Sequence, residues 1–106
     1  MSVNITFTLT VTALQDEAQA REVVRSLDEV MEDERIQDQV NLGVAWEDGK
    51  AVVAGETDFP LSITRFHLWQ PNFESYVKFA VEEVAPGAVV ALDWGYPDLE
   101  RPPAVG

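Results

Sequence analysis

The chain opens on strict alternation. Val3, Ile5, Phe7, Leu9, Val11 and Ala13 fall on one side, and Asn4, Thr6, Thr8, Thr10 and Thr12 on the other. A period of two in β-branched and aromatic residues predicts a strand with one buried face and one threonine face. From Asp16 the period changes. Ala20, Val23, Val24, Leu27, Val30 and Met31 recur at three and four residues and predict an amphipathic helix. Asp16 and Glu17 stand at its start, where negative charge suits the helix dipole. Glu17 and Arg21 form an i,i+4 pair in the favourable order. The far end breaks the rule, because Glu32, Asp33 and Glu34 crowd a turn where the dipole favours cations.

Val40, Leu42, Val44 and Trp46 then alternate up to Asp48-Gly49, a strong signal for a two-residue hairpin. That turn sets Glu47 against Lys50, Trp46 against Ala51, Val44 against Val53 and Leu42 against Gly55. Residues 61–69 predict a further strand, with Leu61, Ile63, Arg65, His67 and Trp69 on one face and Ser62, Thr64, Phe66 and Leu68 on the other. Pro71 suits the first turn of a second helix. Phe73, Val77, Ala80, Val81 and Val84 form its stripe, and Pro86-Gly87 ends it. Ala88 to Tyr96 is apolar on both faces through Val89, Val90, Ala91, Leu92 and Trp94, which predicts a central or doubly covered strand.

The order is β-α-β-β-β-α-β without repeat or internal linker. It predicts an α+β fold, a ferredoxin-like split βαβ plan whose mainly antiparallel sheet carries two helices on one face. Residues 1–96 form a single domain on this reading, and 97–106, with Pro102-Pro103, a flexible tail.

Composition narrows the chemistry. The 106 residues contain no cysteine and one histidine, which excludes thiolate metal sites, a thiol nucleophile and multi-histidine zinc sites. Nineteen acids against seven bases give a net charge of −12, unsuited to binding nucleic acid or anionic lipid directly. Neither a basic-then-apolar leader nor an apolar run of membrane-spanning length is present, so the expected location is the cytoplasm.

Motifs for phosphate cradling and for a G-x-S-x-G nucleophile are absent. His67 and Asp93 are the polar residues most suited to proton transfer, with Tyr76 a third. They define one alternative, a small dimeric ferredoxin-like enzyme acting on a small molecule. The acids Asp28, Glu29, Glu32, Asp33 and Glu34 lack the loop spacing of a calcium site, so no metal or cofactor is expected. They belong to a stretch, residues 16–38, that holds nine acids and three arginines. An acidic ridge of this kind steers a basic protein partner. Arg65 and Trp69 are residue types that anchor interfaces. Acidity of this degree also suits a high-salt cytoplasm with no partner at all.

The hairpin from Val40 to Thr57, the Pro-opened helix carrying Val77, Ala80 and Val81, and the closing Leu92-Asp93-Trp94 resemble small acidic immunity proteins of bacterial toxin systems. The resemblance implies an inhibitor that covers the active site of a cognate toxin, commonly a basic nuclease or deaminase. The expectation is therefore a non-catalytic acidic inhibitor of a basic protein, of immunity-protein or DNA-mimic type. Asp28, Glu29, Glu32, Asp33, Glu34, Arg65 and Trp69 form its contact surface. A homodimer through the open sheet face is the further assembly this fold permits.

Overall fold

A computed structural model of the chain describes residues 2–96. The tail expected at 97–106 lies outside the described residues. The elements are β1 (Ser2–Thr12), α1 (Glu17–Asp33), a single 3₁₀ turn (Gln37–Gln39), β2 (Val40–Glu47), β3 (Lys50–Thr57), β4 (Leu61–Thr64), α2 (Phe66–Val84) and β5 (Val89–Gly95). All the strand pairings are antiparallel. The long β1 lies between β3 and β5, and β2 pairs β3 from outside. β1 and β2 are thus the separated strands of a split βαβ unit with β3 between them, the ferredoxin-like plan.

The hairpin has the register that Asp48-Gly49 dictates, with Glu47 opposite Lys50 and Leu42 opposite Gly55. Both turn residues have positive φ, 52° and 79°, as a turn matching the strands' right-handed twist requires. Asp16 caps α1 by accepting from the Gln19 amide at 2.8 Å. Gln19 reaches back to accept from the Gln15 amide at 2.7 Å, so two free amides at the helix start are satisfied.

Ile5, Phe7, Leu9 and Val11 of β1, Ala51 and Val53 of β3, and the stripes of both helices bury together in one core. No polar or charged side chain among the described residues is buried. Ser26 Oγ donates to the Ala80 carbonyl at 3.2 Å where the two helices touch. The helices share one side of the sheet, and the threonine side of β1 faces away from them.

Three expectations need correction. The strand expected at 61–69 ends at Thr64, and α2 begins at Phe66. Phe66, Trp69 and Phe73 all pack against the core, and spacings of three and four place them on one side only in a helix. The left-handed Arg65 (φ 56°) turns the chain from strand to helix. Pro71 consequently lies inside α2 rather than in its first turn. It is exposed, and what it removes is the amide that would bond the His67 carbonyl. Ala13 is the second correction. It leaves β1 in a left-handed conformation, φ 62°, and is exposed.

The third concerns β5. Among the described residues it pairs β1 alone, through Val89–Thr12 to Gly95–Thr6, and so forms an edge of the sheet they make. Val90, Leu92 and Trp94 face the core, while Val89, Ala91 and Asp93 are exposed. Small uncharged residues on its outer side had the look of burial.

β3 and β4 pair successive stretches of β1. Val53–Glu56 lie against Val11–Thr8, and Leu61–Thr64 against Ile5–Ser2. Thr6 and Phe7 of β1 separate the two stretches, as residues 57–60 separate their partners on the other side, and the Phe7 amide donates to Thr57 Oγ1 there at 3.3 Å.

Candidate functional site

The acidic end of α1 meets the first half of α2. Trp69 Nε1 donates to Glu34 Oε1 at 2.7 Å, and the Tyr76 hydroxyl donates to Asp33 Oδ2. Carboxylates in the last turn of a helix face its negative dipole end. Two donors from α2 offset that penalty. Both are neutral, so neither removes the carboxylate's charge. The contact with Asp33 favours the neutral phenol and raises the Tyr76 pKa above its ordinary value, with desolvation and the nearby Asp33, Glu34 and Glu29 charges adding to the rise.

Asp28, Glu29, Glu32 and Asp33 are exposed on α1, and Glu34 is half-buried. Among the described residues none of these five carboxylates lies within ion-pair distance of a cation; the Arg21–Glu17 pair is one helical segment earlier. The structure therefore brings Asp33, Glu34 and Trp69 together at one corner. Arg65 sits one turn before Trp69, whose amide donates to the Arg65 carbonyl at 3.0 Å. Asp28, Glu29 and Glu32 continue the negative surface along α1.

Trp69 is half-buried. Its ring stacks on Phe73, centroids 4.6 Å apart and planes 15° from parallel, and meets Trp94 edge-on at 6.0 Å. Phe7, Phe66 and Tyr96 complete the aromatic cluster. Trp94 Nε1 donates to Glu74 Oε2 at 2.6 Å. Each of these two indoles thus has its apolar body in the cluster and its N–H on a carboxylate at the rim, as amphipathic rings prefer.

His67, Tyr76 and Asp93 do not converge. His67 is an exposed residue of α2 rather than of a strand, Tyr76 is engaged with Asp33, and Asp93 points from the outer side of β5. Among the described residues no cluster of three or more His, Asp or Glu side chains has the arrangement to hold a metal ion.

One feature was not anticipated from the sequence. A cleft of about 600 Å³ separates the hairpin tip from the start of α1, lined in part by Leu14, Asp16, Trp46 and Lys50. Trp46 is 58% exposed there. Its position two residues before the turn was the available signal, since a side chain that close to a hairpin tip outruns the helix that covers the rest of β2.

No family model matches the chain, and no curated protein matches it. Among solved structures, the de novo designed protein Foldit4 is similar with a TM-score of 0.56 at 11% identity, over 90% of this chain and 97% of that one. A de novo designed ferredoxin-fold protein, LFR1 1, gives a TM-score of 0.48 at 17% identity, over 87% of this chain and 84% of that one. A dinuclear metal binding peptidase of the M20 family from Bacillus subtilis gives 0.48 at 10% identity, and the match spans 91% of this chain but 26% of the peptidase. At 11% identity the likeness to Foldit4 is one of fold alone. Among the described residues no helix is long and apolar enough to cross a membrane.

Proposed function

We propose that this chain is a non-catalytic binding protein that inhibits a basic protein by presenting the outer side and C-terminal end of α1. One observation carries the reading. Asp33 and Glu34 are held in place by neutral donors, Tyr76 and Trp69, so their charge is fixed in position without being neutralised. Together with exposed Asp28, Glu29 and Glu32 they give five carboxylates within seven residues. Fixed charge of one sign speeds encounter with the opposite sign and loses less entropy on binding than mobile side chains do. Inhibition follows if the covered surface of the partner is its own anion-binding site, as the resemblance to immunity proteins implies.

The test is capture of partners from a lysate of the source organism, with stepwise salt elution and identification by mass spectrometry. The comparison is a triple variant, Asp28→Asn with Glu29→Gln and Glu32→Gln, which leaves the two carboxylates bonded to α2 intact. The expected result is a basic protein released by moderate salt, retained by the wild type and lost by the variant, and inhibited in its own activity by the wild type. Equal retention by the triple variant would remove α1 as the contact.

A further inference from the structure

The sheet side facing away from the helices has an order of its own. Across it, one row of outward residues reads Asn41, Glu56, Thr8 and Asp93. The next reads Gly43, Ala54, Thr10 and Ala91. In the third, Ala45 stands opposite Val52 and Thr12 opposite Val89. The fourth is Glu47 opposite Lys50. The two middle rows thus hold neither a charge nor a side chain larger than valine, in a protein of net charge −12. Val89 is 57% exposed within them.

Along β3 the positions on this side are Lys50, Val52, Ala54 and Glu56; Lys50, Ala54 and Glu56 are exposed, whereas Val52 is only 5% exposed in the single chain. Cation, two apolar residues, anion is a pattern that pairs with itself when reversed. We propose that this face is the interface of an isologous homodimer, its two-fold axis lying between the sheets and across the strands. Lys50 of each copy then faces Glu56 of the other, and the uncharged middle rows meet. A C2 interface is the same patch on both subunits and must be self-complementary in this way. A basic partner, by contrast, would be matched by carboxylates in the middle rows, and none is there.

Four strands about 4.8 Å apart, with outward positions spanning about 20 Å along them, make a planar face of roughly 400 Å². Pleated surface exceeds planar area, so two copies bury on the order of 1,000 Å² in total, the lower bound for a specific contact. The dimer is therefore weak and exchanges with monomer. Two copies of a strongly acidic chain repel at long range, and salt screens that repulsion. Self-association should tighten with salt, whereas capture of a basic protein through α1 should weaken. The two readings use opposite sides of the molecule and respond to salt in opposite directions, so either can fail without the other.

Sedimentation equilibrium of the full chain from about 5 to about 500 μM tests this over the range where a small interface dissociates. The runs compare about 0.05 and 0.5 M NaCl, either side of strong screening. A monomer–dimer equilibrium tighter at the higher salt is expected. Lys50→Glu and Glu56→Lys alter exposed residues, and circular dichroism verifies that both variants fold. Each alone replaces two cross-dimer attractions by two repulsions and should weaken self-association by at least about tenfold. Mixed in equal amounts, the two variants should associate. The carboxylate introduced in the first faces the ammonium introduced in the second, and the unchanged Lys50 of the second faces the unchanged Glu56 of the first. A wild-type chain monomeric throughout overturns the proposal. So does a dimer indifferent to both substitutions, or a mixture no more associated than its components.

Discussion

Trp69 donates its indole N–H to Glu34 at 2.7 Å, joining the start of α2 to the end of α1 across 35 positions of sequence. The same indole stacks on Phe73 inside the aromatic cluster, so one side chain couples the core to the acidic surface. An unfavourable placement, a carboxylate at a helix C-terminus, becomes a tertiary contact.

Separating the two contributions of Glu34 is straightforward. Glu34→Ala leaves the Trp69 N–H without its acceptor and should destabilise the protein by about 1 kcal/mol, the lost charged hydrogen bond being partly offset by relief at the helix end. Glu34→Gln keeps a carbonyl acceptor and removes the charge, so it should lie within about 0.5 kcal/mol of wild type. Urea unfolding followed by tryptophan fluorescence measures both. Equal losses in the two variants would show that charge, not the hydrogen bond, is what Glu34 contributes.

Tyr76 carries the corresponding pH dependence. Its pKa is raised, first because the phenol donates to Asp33 and further by desolvation and the surrounding carboxylates. The folded state therefore prefers the protonated form. The stability this contributes is complete below tyrosine's ordinary value of about 10, and is lost as pH rises through the higher midpoint of the folded protein. Phenolate absorbance should show Tyr76 titrating late, with Tyr76→Phe removing that step and Asp33→Asn moving it down. An unmoved midpoint in Asp33→Asn would break the assignment.

Features set by neighbours in sequence were legible, and those set by distant partners were not. Asp48-Gly49 fixed the hairpin register because a two-residue turn leaves no freedom in it. The α1 stripe was legible for the same local reason. The misplaced start of α2 is different in kind, since Leu61 and Ile63 do begin a strand and only burial of Phe66 and Trp69 beside Trp94 selects a helix after them. At the acidic end of α1 the broken dipole rule was visible, but its compensation comes from residues 35 and 43 positions away. In β5, small uncharged residues on an outer face read as burial.

Gly55 and Gly43 offer a contrast in space. A Cβ at Gly55 would lie 2.5 Å from Leu42 Cδ2 and 3.3 Å from the Asn41 carbonyl oxygen, while at Gly43 it would meet nothing within 4 Å. Gly55→Ala should cost about 1–2 kcal/mol because Leu42 must leave its rotamer against the core. Gly43→Ala should change stability by less than about 0.5 kcal/mol, as surface substitutions do. In a Leu42→Ala background the cost of Gly55→Ala should fall by more than half, which a double-mutant cycle by urea unfolding measures. Independent, additive effects would place the strain elsewhere.

The turn that ends α1 stores strain that glycine would release. The Ile36 amide donates to the Met31 carbonyl at 2.9 Å and the Arg35 amide to the Glu32 carbonyl at 3.0 Å, the paired bonds of a Schellman motif. Met31 and Ile36, the two residues whose contact usually seals that motif, are both buried. The residue between the helix cap and Ile36 is Arg35, held at φ 62°, where glycine is usual and any other residue costs roughly 1–2 kcal/mol. Replacing it by glycine also removes a cation near the negative end of the helix, worth about 0.3–1 kcal/mol at low salt. Arg35→Gln loses the same charge and keeps the strain, so the comparison between the two variants isolates the backbone. Arg35→Gly should be more stable than Arg35→Gln by about 1 kcal/mol at any salt concentration, a shift in melting temperature of roughly 4–8 °C for a domain of this size. Against wild type, the gain from Arg35→Gly should be small at low salt and grow as screening removes the arginine's contribution. Thermal unfolding of the three proteins at two salt concentrations decides it, and glutamine matching glycine would mean that the left-handed backbone at this position costs nothing.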